Sequence, residues 1–419
     1  MKNRLQTLHP SVWLSTQNFN SIKTTKPSEQ TRFPDISGTW FYTVTVLKPI
    51  NGQEITVENT VETEPRHVQV TQNGRYVTLE FPRDRTRDVA GTLAGILHQS
   101  SGQPLKLHVA DYDDNGYFEY TLTPFGWYGA YKEAGSSGSK EQSPTAGTAF
   151  LARSMENLQA LKNMNDEAPE LNGEYLYFAK LLKKDGTKEM SVHNLQELGP
   201  ATVTTSSKGG FVAVNALGGI LPGVFHKSGT ESTLHVADHL DNGMYVFKNY
   251  RSGLAASYLE RGEFGSADQT ATTGRVYLAK SENQLQEMIA NDGTDVIALP
   301  QFLTYKKESM RSQNGTAPNV NNISTEIQTW EVDQNGVYAT FKNEQEGTLP
   351  GILTKDENGT WVLQIARTAD NGFFKLHHTG NGKFDGVYVE SGNVGSMTQS
   401  TEVGFVTARP HVFGEEPIN

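Results

Sequence analysis

The chain has 419 residues, 36 Lys and Arg against 47 Asp and Glu, a net charge of −11, no cysteine, 40 Gly and 17 Pro. That length exceeds one ordinary core. The acidity opposes nucleic-acid phosphates and anionic lipid, and the lack of thiols excludes disulfides, thiolate metal sites and a Cys nucleophile. No apolar run reaches the roughly 18 residues of a transmembrane helix.

Residues 1–34 are polar and unperiodic and read as a flexible arm, with Trp13 its one candidate for docking on the body. The basic start is followed by Thr, His, Pro and Ser rather than an apolar segment, so a secretory signal is not expected and a cytoplasmic location is the default. From Ile36 the pattern is that of strands: Trp40 to Val46 is β-branched and aromatic, and two alternating runs flank Asn73-Gly74, a tight hairpin signal. An apolar strand around Gly95, a second strand Leu107-His108-Val109-Ala110-Asp111 and an Asp114-Asn115-Gly116 turn follow. Strands at Trp127 to Glu133 and Gly147 to Ala152 complete roughly eight in hairpin order.

This set is written three times. Gly95, Gly223 and Gly351 fall 128 residues apart both times, and the Asp-Asn-Gly turn returns at Asp241-Asn242-Gly243 and Asp370-Asn371-Gly372. Ser154 and Ser281 each open a short stretch with helical spacing and an N-cap residue, so a helix joins one unit to the next. The organisation expected is an arm (1–34), repeat one (35–153), a helix and repeat two (154–280), a helix and repeat three (281–409) and a tail (410–419). Eight antiparallel strands with local connections close into an up-and-down barrel and so abolish exposed edges. The fold class is all-β, three tandem barrels with short connecting helices; repeated β-sandwiches are the alternative.

Gly38-Thr39-Trp40 resembles the Gly-x-Trp start of calycin barrels such as lipocalins and avidins, where the Trp closes one barrel end. The second copy has Gly173-Glu174-Tyr175 and the third Leu299-Pro300-Gln301-Phe302. The resemblance implies a calycin-like fold with an internal ligand cavity.

Two constellations carry candidate chemistry. Tyr131/Glu133, Tyr258/Glu260 and Tyr388/Glu390 recur in all copies; on a strand, Tyr and Glu share a face, while Lys132, Leu259 and Val389 take the other and vary as surface residues do. Inward Tyr/Glu pairs would serve as acid–base groups, or the Glu would pin the closing strand. His98, His108 and Asp111 correspond to His226, His235 and Asp238, whereas copy three has Thr354, Gln364 and Arg367. Two His and a carboxylate form a metal-ligand set, so a divalent metal is the alternative occupant; no other cofactor is expected, because dinucleotide and phosphate-loop motifs are missing. Asp111, Asp113, Asp114 and Asn115 admit a calcium reading, but turn chemistry explains them.

The reading that follows is a small-molecule protein binding an apolar or aromatic ligand in a barrel lumen, in its enzymatic form a cofactor-independent isomerase or cyclase. Its rival is a non-enzymatic structural or protein-interaction module, a rod of three filled barrels. Small residues such as Ala94, Gly95, Gly219 and Gly223 favour open lumens. Oligomeric state is not readable from the sequence.

Overall fold

A computed structural model describes the chain apart from residues 1–32, 51–52, 83–90, 112–115, 134–143, 165–167, 187, 217–218, 229–230, 239–242, 252, 262–270, 313–315, 368–371, 392–400 and 413–419. The first unit contains β1 (Gly38–Leu47), β2 (Thr60–Glu62), β3 (Arg66–Asn73), β4 (Tyr76–Glu80), β5 (Thr92–His98), β6 (Lys106–Asp111), β7 (Gly116–Thr123), β8 (Gly126–Glu133) and β9 (Thr145–Ala152). Pairing of β1 with β9 closes eight of them into a barrel, and β2 is an added edge beside the end of β1. After α1 (Met155–Asn163) comes a second closed barrel: β10 (Gly173–Leu182), β11 (Gln196–Lys208), β12 (Phe211–Ala216), β13 (Gly219–Ser228), β14 (Glu231–Asp238), β15 (Gly243–Tyr250), β16 (Gly253–Glu260) and β17 (Thr272–Ala279). After α2 (Glu282–Asn291) the third is β18 (Phe302–Arg311), β19 (Ile323–Asn335), β20 (Tyr338–Asn343), β21 (Gly347–Lys355), β22 (Trp361–Arg367), β23 (Gly372–Gly380), β24 (Lys383–Glu390) and β25 (Glu402–Pro410). The all-β triple-barrel class stands, and the sandwich alternative does not.

Local chemistry explains the joints. Gly74 and Gly336 take φ of +59° and +58° in the Asn-Gly hairpins, where a Cβ would be strained. Ser154 Oγ accepts from the Asn157 amide and Ser281 Oγ from the Gln284 amide, so each connecting helix begins where its cap is. Helix α1 buries Leu158 and Leu161 against Tyr128 and Phe150, and α2 buries Leu285 and Met288 against Phe178 and Tyr277. Trp13 lies outside the described residues; Phe33, placed in the arm by sequence, is buried in the first barrel's core with Ile36.

The lumens are filled, against the expectation of internal cavities. The inward side chains of each barrel form one continuous core, with Trp127 in the first and Trp330 in the third fully buried. The small residues do not open space. A Cβ on Gly95 would meet Leu107, Leu79 and Val109 at 3.2–3.3 Å, and one on Gly223 would meet Leu234 and Val236 at 3.0 Å. Glycine stands there because neighbouring side chains occupy the room. Ala94 faces outward into a cluster between barrels, and Gly219 begins β13 at φ +132°.

Nor do the barrels form a rod. Strands β8 and β9 of the first pack on β13 and β14 of the second, β16 and β17 of the second on β21 and β22 of the third, and β24 and β25 of the third on β5 and β6 of the first. The same two faces meet each time. That is a head-to-tail contact whose rotation closes after three copies, giving a ring with approximate threefold symmetry. Equivalent residues make equivalent bonds: Asn335 Nδ2 donates to Val192 O between barrels two and three, and Asn73 Nδ2 to Val320 O between one and three. Lys132, Leu259 and Val389, expected on the surface, are all buried at these seams.

Candidate functional site

The Tyr/Glu pairs point into the lumens and find each other. Tyr131, Tyr258 and Tyr388 hydroxyls donate to Glu133, Glu260 and Glu390 at 3.1, 3.3 and 2.8 Å. Strand register sets Gly116, Gly243 and Gly372 opposite these three Glu residues. Each Tyr ring lies over that glycine: a Cβ on Gly116 or Gly243 would sit 2.8 or 2.7 Å from the ring, and one on Gly372 would collide with the Tyr388 hydroxyl. The Gly of the turn motif and the Tyr of the Tyr-x-Glu motif are thus one device, an aromatic ring covering a strand glycine. It locks β7 to β8 and its counterparts, which accounts for its retention in every copy.

The histidines lie outside the barrels. His98 and His108 share the outer face of the β5–β6 hairpin, as do His226 and His235 on β13–β14. Ring closure turns both faces, and that of β21–β22, onto the common axis. There they enclose a cavity of about 70 Å³ lined by His98, Lys106 and Glu119 of repeat one, His226, His235, Lys248 and Ser257 of repeat two, and Gln364, Lys375 and His377 of repeat three. His98 and His377 rings stand 5.3 Å apart across the first and third barrels. Thr121 Oγ1 meets His226 Nε2 at 3.0 Å across the first and second.

Asp111 and Asp238 do not join them. Period-two alternation places both on the lumen side, with Leu107 and Val109 or Leu234 and Val236, and Asp238 accepts from the Tyr245 hydroxyl at 2.9 Å. The two-His, one-carboxylate set is therefore divided between two sides of a sheet, and no group of three ligating side chains able to hold a metal occurs among the described residues. Asp113, Asp114 and Asn115 lie outside them.

Glu119 is the centre of the polar network and is not among the sequence candidates. Its carboxylate takes Lys106 Nζ at 2.9 Å and Lys375 Nζ, from the third barrel, at 2.7 Å. Tyr117 donates to it at 3.1 Å and meets His108 Nδ1 at 2.5 Å, making a chain from the carboxylate at the cavity wall back to His108, behind the lining. Burial alone would raise the Glu119 pKa, but Lys106 and Lys375 outweigh it and hold the carboxyl well below its usual range. Burial pushes His98 down to about 4 and His226 to about 3, and drives His108 and His235 well below ordinary imidazole, so the rings are neutral near pH 7. Burial also lowers Lys132 to about 7; its ammonium lies 5.2 Å from the centre of the Tyr117 ring. One signal for this site was present in the sequence: Glu119, Val246 and Lys375 occupy one position of the repeat, and two of them carry opposite charge.

No protein-family model matches the chain, and no curated protein matches it. Among solved structures, a double mutant and a single mutant of the vaccine antigen transferrin binding protein B from Haemophilus parasuis Hp5 align over 90% of this chain and 77% of theirs, at 9% identity and TM-scores of 0.19 and 0.18. At such scores nothing about this chain is drawn from the likeness. The fold class rests on the barrels themselves, which are closed, eight-stranded and antiparallel. Arg153 lies over the Trp40 ring and donates to Ser37 O and Thr39 O, and Lys280 over Tyr175 does the same for Asn172 O and Glu174 O.

Proposed function

We propose that this is a calycin-like small-molecule-binding protein whose site is the polar cavity on the axis of three barrels, not a barrel lumen. One observation carries the reading: His226, His235 and Gln103 line the cavity, are each more than nine-tenths buried, and present His226 Nδ1, His235 Nδ1 and both Gln103 amide atoms with no hydrogen-bond partner among the described residues. Buried polar atoms are normally satisfied, and an unmet one costs about 1–3 kcal/mol. A bound molecule supplies the missing partners. The lining argues for a polar ligand in place of the apolar or aromatic one expected for a lumen. Any proton transfer here would use the His108–Tyr117–Glu119 chain.

Native mass spectrometry on freshly purified protein, compared with denatured protein and with Ser257→Trp, tests this. Ser257 lines the cavity from β16, and an indole there fills it. The expected result is a non-covalent adduct, or one gained from a small-molecule library, that Ser257→Trp lacks. The filled lumens favour the second reading, a structural or interaction module, and that reading predicts no adduct with either protein.

A further inference from the structure

We infer, resting on the axial cavity as a binding site, that its ligand is a small hydroxylated anion, its acid group held by Lys106 and Lys375 and a hydroxyl donated to His235 Nδ1. The bookkeeping of protons gives the second contact. Thr233 Oγ1 lies 3.3 Å from His226 O and 2.9 Å from His235 Nε2; with its one proton given to the carbonyl, it accepts from the ring. The neutral His235 ring then carries its proton on Nε2, and its buried, unpartnered Nδ1 is a lone pair awaiting a donor. A simple carboxylate has no donor to give it. A hydroxyl does.

The acid group follows from the ammonium ions. Each has three N–H donors. Lys106 places one on Glu119 Oε1, Lys375 one on Glu119 Oε2, and Lys248 one on Lys355 O at 3.0 Å. Lys106 and Lys375 share one carboxylate in direct contact, so each keeps N–H donors for a second one, while Glu357 acts on both lysines and Asp356 on Lys106 from further away. The carboxylates that oppose an anion, Asp356 and Glu357, come from the turn after β21, where Asp356 faces His377 and Glu357 takes Ser228 Oγ, and Glu231 stands 3.8 Å from Lys248. The acid end therefore sits against Lys106 and Lys375. About 70 Å³ of room is on the order of five water sites, enough for roughly three or four carbons with their oxygens.

Calorimetric titration of the full chain with lactate, propionate, glycerol and sulfate tests the assignment without relying on a variant. Lactate is expected to bind about tenfold or more tighter than propionate, which lacks the hydroxyl, and than glycerol, which lacks the charge. Lys375→Met should weaken lactate about tenfold, and Ser257→Trp should abolish its binding. Equal binding of propionate or sulfate, neither of which has a hydroxyl to donate, overturns the hydroxyl contact, and equal binding of glycerol overturns the acid contact. If none of these binds while another compound gives an adduct that Ser257→Trp lacks, the ligand class is wrong and the site stands; if nothing binds at all, both fall.

Discussion

Acidification from pH 7 to pH 5 is expected to destabilise the protein by about 4 kcal/mol from His98 and His226 alone, about 2 kcal/mol each, as linkage of their depressed pKa values requires. Both rings are desolvated between barrels, so each binds a proton less readily folded than unfolded, where the value is near 6.5. The unfolded chain therefore gains protons first. The stability these rings permit is fully present above about pH 6.5 and is lost as pH falls towards the folded values of about 4 and 3. His108, His235 and His377 shift the same way through burial. Asp385 and Asp356, which face His98 and His377, resist the shift but do not reverse it. Lys132 titrates near pH 7 and above when folded and adds little slope below. Against a total stability of about 5–15 kcal/mol, this is a large fraction. Urea midpoints at pH 7 and pH 5 check it, and equal midpoints would mean that the axis is hydrated and open.

Glu119→Gln is expected to cost about 3–5 kcal/mol, the range for removing one partner of a buried charge network. Glutamine keeps the shape but leaves Lys106 and Lys375, each mostly buried, without a counter-ion. Because the two lysines belong to different repeats, the loss falls on the contact between the first and third barrels. Adding Lys375→Met should recover part of the loss, since the double variant carries one unpaired ammonium instead of two. Denaturant unfolding of the four proteins measures the coupling. A single-variant cost below about 1 kcal/mol would show that water, not protein, surrounds the carboxylate.

Strand periodicity, the repeated glycine and the capping Ser154 and Ser281 made the barrels and helices legible, because each depends on residues close in sequence. What depended on register or on ring closure was not. The Asp-Asn-Gly and Tyr-x-Glu motifs read as separate signals until strand pairing put Gly116 under Tyr131. Lys132, Leu259 and Val389 looked like solvent-facing positions because they differ; they differ because each meets a different neighbour at a seam. Strand β9 held the missed clue. Thr145 to Ala152 is buried on both faces, as a strand packed on each side must be. The histidines were singled out, but Glu119 and Lys375, which meet beside the axial cavity, lie 256 residues apart in sequence. No local pattern links them.

The third barrel closes onto the first, β24 and β25 on β5 and β6, and so encloses the axial site. With no native cysteine, Asn73→Cys/Asn321→Cys gives a protein with two thiols, at positions whose side-chain amides now meet at 2.9 Å. Treatment of the dilute monomer with a short bis-maleimide, followed by intact-mass and peptide analysis, reads the separation directly. An intramolecular bridge in high yield is the result expected of a closed ring. Two singly modified thiols with no bridge would contradict it, since in a linear rod the first and third barrels never touch.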